Sequence, residues 1–141
     1  MMSVVAKNHE VAARGGEVKL FKSHRADFAH GGQRRDFIYI DDVVDVILWS
    51  LAHGPEYGLF NVGTGEATTF NDLLAALFAA AGKPPRLSYF DMPEVLRDKY
   101  QYFTEAPIAA LRAAGYAAPF TPITDAVARF VHYLSDADRY R

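Results

Sequence analysis

The chain has 141 residues, half of them apolar and 23% charged, with a formal net charge of −2 and no cysteine. This length and composition are typical of one globular domain and argue against a disordered chain. The weak negative charge gives no electrostatic reason to expect nucleic acid or a membrane surface as a partner, and the lack of cysteine excludes disulfides and thiolate-bound metals. With no run of ~20 apolar residues and no signal-peptide pattern, we expect a cytoplasmic protein.

The first part of the chain is predicted to form a helix, a strand and a long loop. Apolar residues at helical spacing predict a helix over Met1–Ala13, which Gly15 and Gly16 end. The alternation in Val18–Phe21 predicts a strand. Lys22–Arg34 has little periodicity and predicts a loop. Loops longer than about 12 residues in compact domains are usually functional or disordered.

A strand and a buried helix are predicted next. The apolar run Phe37–Ile40 predicts the strand, and the spacing of Val43, Val46, Ile47, Ser50 and Leu51 predicts the helix. Asp41 or Asp42 is expected to cap its first turn and to complement its dipole. Capping and the helix dipole are enough to explain Asp41 and Asp42, so these acids do not indicate a cation site. Arg35, at the start of the strand, is well placed to meet an anion.

The middle of the chain predicts a turn at Gly54–Gly58, a strand over Leu59–Val62 and an amphipathic helix from Phe70 to Ala81, which Gly82 ends. The helix should start with a capping box of Thr69 and Asp72.

The last part predicts a strand over Arg86–Phe90 and two helices. Thr104 is expected to cap the first helix, which Gly115 ends. Thr121 and Pro122 are expected to open the second.

Several site types find no support in the sequence. The turn Gly63-Thr64-Gly65 lacks the third glycine of a dinucleotide loop, because Thr68 stands at that position, and we interpret it as a plain strand-to-helix turn. No phosphate-binding P-loop and no Gly-x-Ser-x-Gly nucleophile turn occurs. The histidines do not fall at the spacings of metal ligands; they are His9, His24, His30, His53 and His132.

Three groups remain that could bind an anionic, hydrogen-bonding ligand. They are the segment Phe21–His24, Arg35, and the cluster Lys99-Tyr100-Gln101. A guanidinium group offers a fork of donors to phosphate oxygens, and a tyrosine offers a flat apolar face with a polar tip.

Two short motifs are found in a narrower set of proteins than the other motifs of the chain. They are Tyr100-Gln101-Tyr102-Phe103-Thr104 and Leu111-Arg112-Ala113-Ala114-Gly115-Tyr116. With them, the chain resembles the ADP-L-glycero-D-manno-heptose 6-epimerases of the extended short-chain dehydrogenase/reductase superfamily. The other similar stretches follow the family's order; they are Met1–Val5, Lys19–Ser23, Gly32–Val43, Phe60–Gly65 and Pro119–Phe120.

The resemblance implies an NADP-dependent enzyme that transiently oxidises the heptose of an ADP-sugar at C6 and returns the hydride to the other face, in the synthesis of the lipopolysaccharide core heptose precursor. Carried over by position, Phe21, Lys22, Ser23 and His24 match the family's substrate-binding strand end. Arg35 matches its ADP-sugar arginine and Tyr100 its substrate tyrosine. Lys7 falls where the family often has a basic or histidine substrate contact.

The chain departs from the family in lacking the Gly-rich NADP loop and the catalytic Tyr-x-x-x-Lys pair, which none of its eight tyrosines provides. The resemblance therefore implies that residues 1–141 are the C-terminal substrate-binding region of an α/β extended reductase. This region is a small α+β substrate domain with a few strands that belong to the missing Rossmann half. That half would bind NADP. We expect the chain to be inactive alone and poorly soluble, and the full-length protein to be a homo-oligomer.

Two alternatives remain open. The first is that the chain derives from another extended reductase, a sugar-nucleotide epimerase or dehydratase with a different substrate. The second is that it is a non-catalytic binding module that kept the pocket or only the fold. A fragment, a truncated gene and a mis-assigned start would each explain the missing half.

Overall fold

The computed structural model describes residues 3–54 and 58–136, which form a mixed α/β fold of helices and short strands. No helix in these two ranges is long and apolar enough to cross a membrane. The elements are α1 Val4–Ala13, β1 Val18–Phe21, β2 Arg34–Arg35, α2 Ile40–His53, β3 Thr68–Thr69, α3 Phe70–Ala80, β4 Leu87–Phe90, α4 Glu94–Arg97, α5 Ala109–Ala113 and α6 Ile123–Ser135.

The main core forms where α1 and α6 pack against α3. Leu74, Leu77 and Phe78 of α3 are fully buried, because its apolar positions recur at helical spacing and face both neighbouring helices. Val127 and Val131 of α6 complete the contact. The predicted helices over these segments are confirmed. So is the capping box of α3, since Oγ1 of Thr69 accepts the backbone N–H of Asp72 at 3.0 Å.

Strands β1 and β4 pair in parallel although they lie far apart in the sequence, since Val18 is the register partner of Leu87. Their register places Phe21 opposite Phe90 at the carboxyl end of both strands. Both strand predictions are confirmed. The long predicted loop is confirmed too, and it leaves the sheet at this same end.

The predicted strands at Phe37–Ile40 and Leu59–Val62 are wrong. Residues 36–39 have no regular structure and α2 already begins at Ile40. The strand here is β2, which pairs antiparallel with β3, while the backbone N–H groups of Arg34 and Asp36 donate to the carbonyls of Tyr102 and Thr104. A strand needs a partner that completes its ladder, and residues 58–62 have none in the described part of the chain.

Three predicted helix caps are wrong as well. Helix α2 begins without a side-chain cap, because Asp42 binds Thr121 instead of the first-turn amides. Thr121 therefore does not cap α6. Thr104 hydrogen-bonds through its backbone to Arg34, and α5 begins only at Ala109. The predicted turn at Gly54–Gly58 falls largely on residues 55–57, outside the described ranges.

Helix α2 is less buried than its pattern predicts. Of its apolar residues only Val46 is buried, in a small cluster with Leu111 and Tyr116. A second apolar face is exposed to solvent; its large side chains are Ile40, Val44, Ile47, Leu48 and Leu51. Leu51 is 81% exposed, so this face has no partner among the described residues.

Candidate substrate-binding site

A cleft of about 280 Å³ lies between α1, the β1–β4 sheet and the segment around Tyr100. It brings together three of the predicted substrate residues, Lys7 of α1, Phe21 of β1 and Tyr100. Lys19 adds a second ammonium group, and none of the described residues that line the cleft is acidic. An anion would therefore meet positive charge here and no carboxylate.

Aromatic rings form one wall of the cleft. The ring centroid of Phe21 lies 4.9 Å from that of Phe90 and 6.0 Å from that of Tyr100, in a tilted and an edge-to-face arrangement. Tyr100 in turn meets Tyr102 edge-to-face at 5.5 Å. Because these rings are inclined to one another, a planar ring would stack on the apolar face of a single ring of the cluster.

Arg35 is held beside this wall by cation–π contacts. Its guanidinium carbon lies 5.5 Å from the ring centroid of Tyr100 and 5.9 Å from that of Phe70. One Nη atom donates to the carbonyl of Arg34 at 2.7 Å. No carboxylate forms an ion pair with Arg35 in residues 3–54 and 58–136. The group is thus oriented by the rings and keeps donors for an anionic ligand.

The hydroxyl of Tyr100 is a neutral donor. Burial raises the pKa of Tyr100, the positive charge of Arg35 opposes this shift, and Tyr102 adds to it. A raised pKa keeps the phenol protonated at neutral pH. Tyr100 can therefore donate a hydrogen bond to a ligand, and it is poorly suited to act as a base.

The predicted residues Lys22, Ser23 and His24 follow Phe21 at the strand end but do not line the cleft. The Lys22 ammonium group lies 3.5 Å from a carboxylate oxygen of Asp91. Oγ of Ser23 donates to the carbonyl of Arg25 at 2.9 Å. The backbone N–H of His24 donates to the hydroxyl of Tyr102 at 2.9 Å, so the loop is tied to the aromatic wall.

Sequence reasoning missed other residues of the cleft. Phe90 could have been found from the strand pairing, because the carboxyl ends of neighbouring parallel strands meet at one edge. Asn8 lies one position after Lys7 and carried no signal of its own. Gln33 is buried and donates from Nε2 to the carbonyl of Phe21 at 3.4 Å.

The Gly63-Thr64-Gly65 turn binds an internal carboxylate. Asp36 accepts hydrogen bonds from the N–H and hydroxyl of Thr64 at 2.8 and 2.6 Å, and from the N–H groups of Gly65 and Ala106, each at 3.0 Å. These donors are engaged, so the turn does not fit a cofactor phosphate. Among the described residues there is no group of three possible metal ligands.

Comparison with known proteins supports the sequence resemblance. The pattern of the NAD dependent epimerase/dehydratase family matches residues 1–63. The curated ADP-L-glycero-D-manno-heptose-6-epimerase of Nitratidesulfovibrio vulgaris is 48% identical over 139 residues, which are 98% of this chain and 43% of that protein. The chain spans less than half the length of this relative.

Solved structures share the fold. The UDP-glucose 4-epimerase of Thermus thermophilus, in complex with NAD, matches with a TM-score of 0.75 and 27% identity over 95% of this chain and 40% of that one. The ADP-L-glycero-D-manno-heptose-6-epimerase of Helicobacter pylori matches with a TM-score of 0.76 and 23% identity over 95% and 38%. The resemblance is thereby confirmed: 98% of this chain aligns with 43% of a curated ADP-L-glycero-D-manno-heptose-6-epimerase. Its fold is that of a C-terminal portion of an extended short-chain dehydrogenase/reductase.

Proposed function

We propose that this chain is the substrate-binding part of an NADP-dependent epimerase that inverts C6 of ADP-glycero-manno-heptose. The observation that carries the proposal is the cleft, where Lys7, Phe21 and Tyr100 meet beside Arg35 without a carboxylate. The 48% identity to a curated heptose 6-epimerase supports this choice of substrate.

Each group of the cleft has a role in this proposal. Arg35 binds phosphate oxygens of the diphosphate through charge-assisted hydrogen bonds, and Lys7 adds a second positive charge on the opposite wall. The rings of Phe21 and Phe90 offer the adenine a surface on which to stack. The neutral hydroxyl of Tyr100 donates to the ligand and so orients it.

The redox chemistry at C6 belongs to NADP, bound in a Rossmann domain that precedes the region matched by this chain. This chain would bind the sugar nucleotide, orient it and exclude water. Without the tyrosine and lysine of the missing pair, it is expected not to turn over substrate alone.

The exposed apolar surface fits such a partner domain. Ile40, Leu48 and Leu51 of α2 lie open to solvent, and Leu59 is 96% exposed. An apolar groove of about 220 Å³ lies between the start of α1, residues 37–40 and α6. Covering these surfaces with the Rossmann domain would remove their apolar area from water.

The test is to join this chain to the N-terminal part of the Nitratidesulfovibrio vulgaris relative that it does not match, and to follow epimerisation of ADP-glycero-manno-heptose by NMR. The proposal predicts conversion by the joined protein with NADP, and none by the 141-residue chain. Conversion by the chain alone would contradict the proposal that this chain only binds the substrate and that the Rossmann domain supplies the redox chemistry.

UDP-glucose is the matched control substrate, because a UDP-glucose 4-epimerase has the same fold at 27% identity. A joined protein that preferred UDP-glucose would favour the alternative of another sugar-nucleotide epimerase.

A further inference from the structure

The loop that follows β1 is held by a histidine with no role in the proposed function. Nδ1 of His30 accepts a hydrogen bond from the backbone N–H of Ser23 at 3.0 Å. A backbone N–H can only donate, so this contact requires Nδ1 to be unprotonated. A protonated imidazole would place two donors against each other, and the contact would be lost.

His30 is itself fixed by α3 and β4. The side-chain amide of Asn71 donates to the carbonyl of His30 at 2.9 Å, and the hydroxyl of Tyr89 donates to Asn71 at 3.1 Å. The imidazole lies against the ring of Tyr89, with centroids 5.7 Å apart. Both neighbours, an amide and a phenol, are uncharged groups, so neither replaces the lost contact with an ion pair when His30 becomes charged.

The turn beside His30 is built around the same asparagine. Gly31 has a φ of 70°, and its N-terminal neighbour is His30. A Cβ atom at Gly31 would overlap the side chain of Asn71. The backbone here is therefore closely fitted to Asn71, and the imidazole has a defined position relative to Ser23.

His24 makes a second contact of the same kind. Nε2 of His24 accepts a hydrogen bond from the backbone N–H of Met92 at 3.4 Å. The backbone N–H of His24 donates to the hydroxyl of Tyr102. The charged groups that follow it in the loop, Arg25 and Asp27, are paired with each other. Both imidazoles are exposed, so water can protonate either ring.

We propose that His30 is a positioning residue: its neutral imidazole fixes Ser23 at the end of β1, and its protonation weakens sugar-nucleotide binding. The second part rests on the proposed function, in which the strand end at Phe21 borders the ligand. Imidazole changes charge between about pH 5 and 8. At the upper end of this range the contact holds the loop, and at the lower end the loop must be ordered by the ligand itself.

The first arm of the test needs no ligand. The amide resonance of Ser23 is followed by two-dimensional NMR between about pH 5 and 8, in the wild-type chain and in His30→Asn. The Oδ1 atom of asparagine takes nearly the position of Nδ1 and cannot be protonated. The Ser23 resonance should titrate together with the His30 ring in the wild type and stay constant in the variant. If the Ser23 resonance of the wild type does not shift while the His30 ring titrates, the proposal is overturned.

The second arm measures the affinity for ADP-glycero-manno-heptose by calorimetry at both ends of that range. The loss of one hydrogen bond predicts roughly 3- to 10-fold weaker binding by the wild type at the acidic end, and a smaller change in His30→Asn. His53→Asn, at the end of α2, is the matched control and should behave as the wild type. An affinity that is equal at both ends would refute the link to binding. If the wild type does not bind at all, the proposed function fails, and the NMR arm still decides the role of His30.

Discussion

The carboxylate of Asp42 accepts two hydrogen bonds from Thr121, one from its backbone N–H at 2.8 Å and one from its hydroxyl at 2.7 Å. Asp42 is buried in the first turn of α2, and Thr121 lies two residues before the start of α6 at Ile123. The pair therefore joins two elements that lie far apart in the sequence. A buried carboxylate needs such donors, since burial without them would be costly.

Replacing Asp42 should destabilise the fold. Asp42→Ala leaves the donors of Thr121 without their acceptor, and we expect the free energy of unfolding to fall by about 2 to 3 kcal/mol. Urea denaturation followed by circular dichroism measures this change. The control is Asp45→Ala on the exposed side of α2, which should change the free energy by less than about 0.5 kcal/mol. Equal losses in both variants would show that the contact with Thr121 contributes nothing.

The stability of the fold should depend on pH through Asp36. Burial raises the pKa of Asp36, but the hydrogen bonds from Thr64, Ala106 and Gly65 outweigh burial and leave this pKa below its usual value. A lowered pKa in the folded state means that the stabilisation is fully present above about pH 4 and is lost as the pH falls through the folded-state pKa.

Chemical denaturation at a series of pH values tests this dependence. The wild type should lose unfolding free energy as the pH falls below about 4, and Asp36→Asn should lose less of it because it has no proton to take up. At neutral pH the variant should be less stable than the wild type. Asp98→Asn, an exposed residue after α4, is the control. The same pH dependence in wild type and Asp36→Asn would show that another group causes it.

The exposed face of α2 should make the isolated chain self-associate. Leu48 and Leu51 are apolar and open to solvent on this face. The double variant Leu48→Gln, Leu51→Gln should lower the apparent mass in sedimentation experiments and raise the solubility, because apolar area is removed from the contact. The control is Val95→Gln, an exposed apolar residue of α4. A monodisperse wild-type monomer would contradict the prediction.

Local signals in the sequence were enough for the elements that build the core. Helix α3 and its cap could be predicted, because Thr69 and Asp72 lie three positions apart and interact within one turn. Strand β1 was equally clear from its alternation. The predicted strand at Leu59–Val62 was wrong because a short apolar run does not show whether a partner strand is present.

Contacts between distant residues could not be predicted from local patterns. The contact of Asp42 with Thr121 joins residues 79 positions apart, and the acid was indistinguishable from a helix cap in the sequence. Residue chemistry pointed to Phe21, Arg35 and Tyr100 as separate candidates, but only the family resemblance assigned them to one site and added Lys7. Phe90 was missed because its role depends on the register of β4 with β1.

The central claim is that the cleft beside Arg35 and Tyr100 binds a sugar nucleotide. The measurement that tests it most directly is calorimetric titration of ADP-glycero-manno-heptose into the wild-type chain, Arg35→Ala and Tyr100→Ala, with the fold of each verified by circular dichroism. Arg34→Ala is the matched control, because successive residues of a strand point to opposite faces.

We predict that the wild type and Arg34→Ala bind alike and that Arg35→Ala binds at least ~10-fold more weakly, the expected loss of charge-assisted hydrogen bonds. Tyr100→Ala should also bind more weakly, since it removes both the ring beside Arg35 and a donor. Unchanged affinity in both Arg35→Ala and Tyr100→Ala, with the fold intact, would contradict the assignment of the cleft.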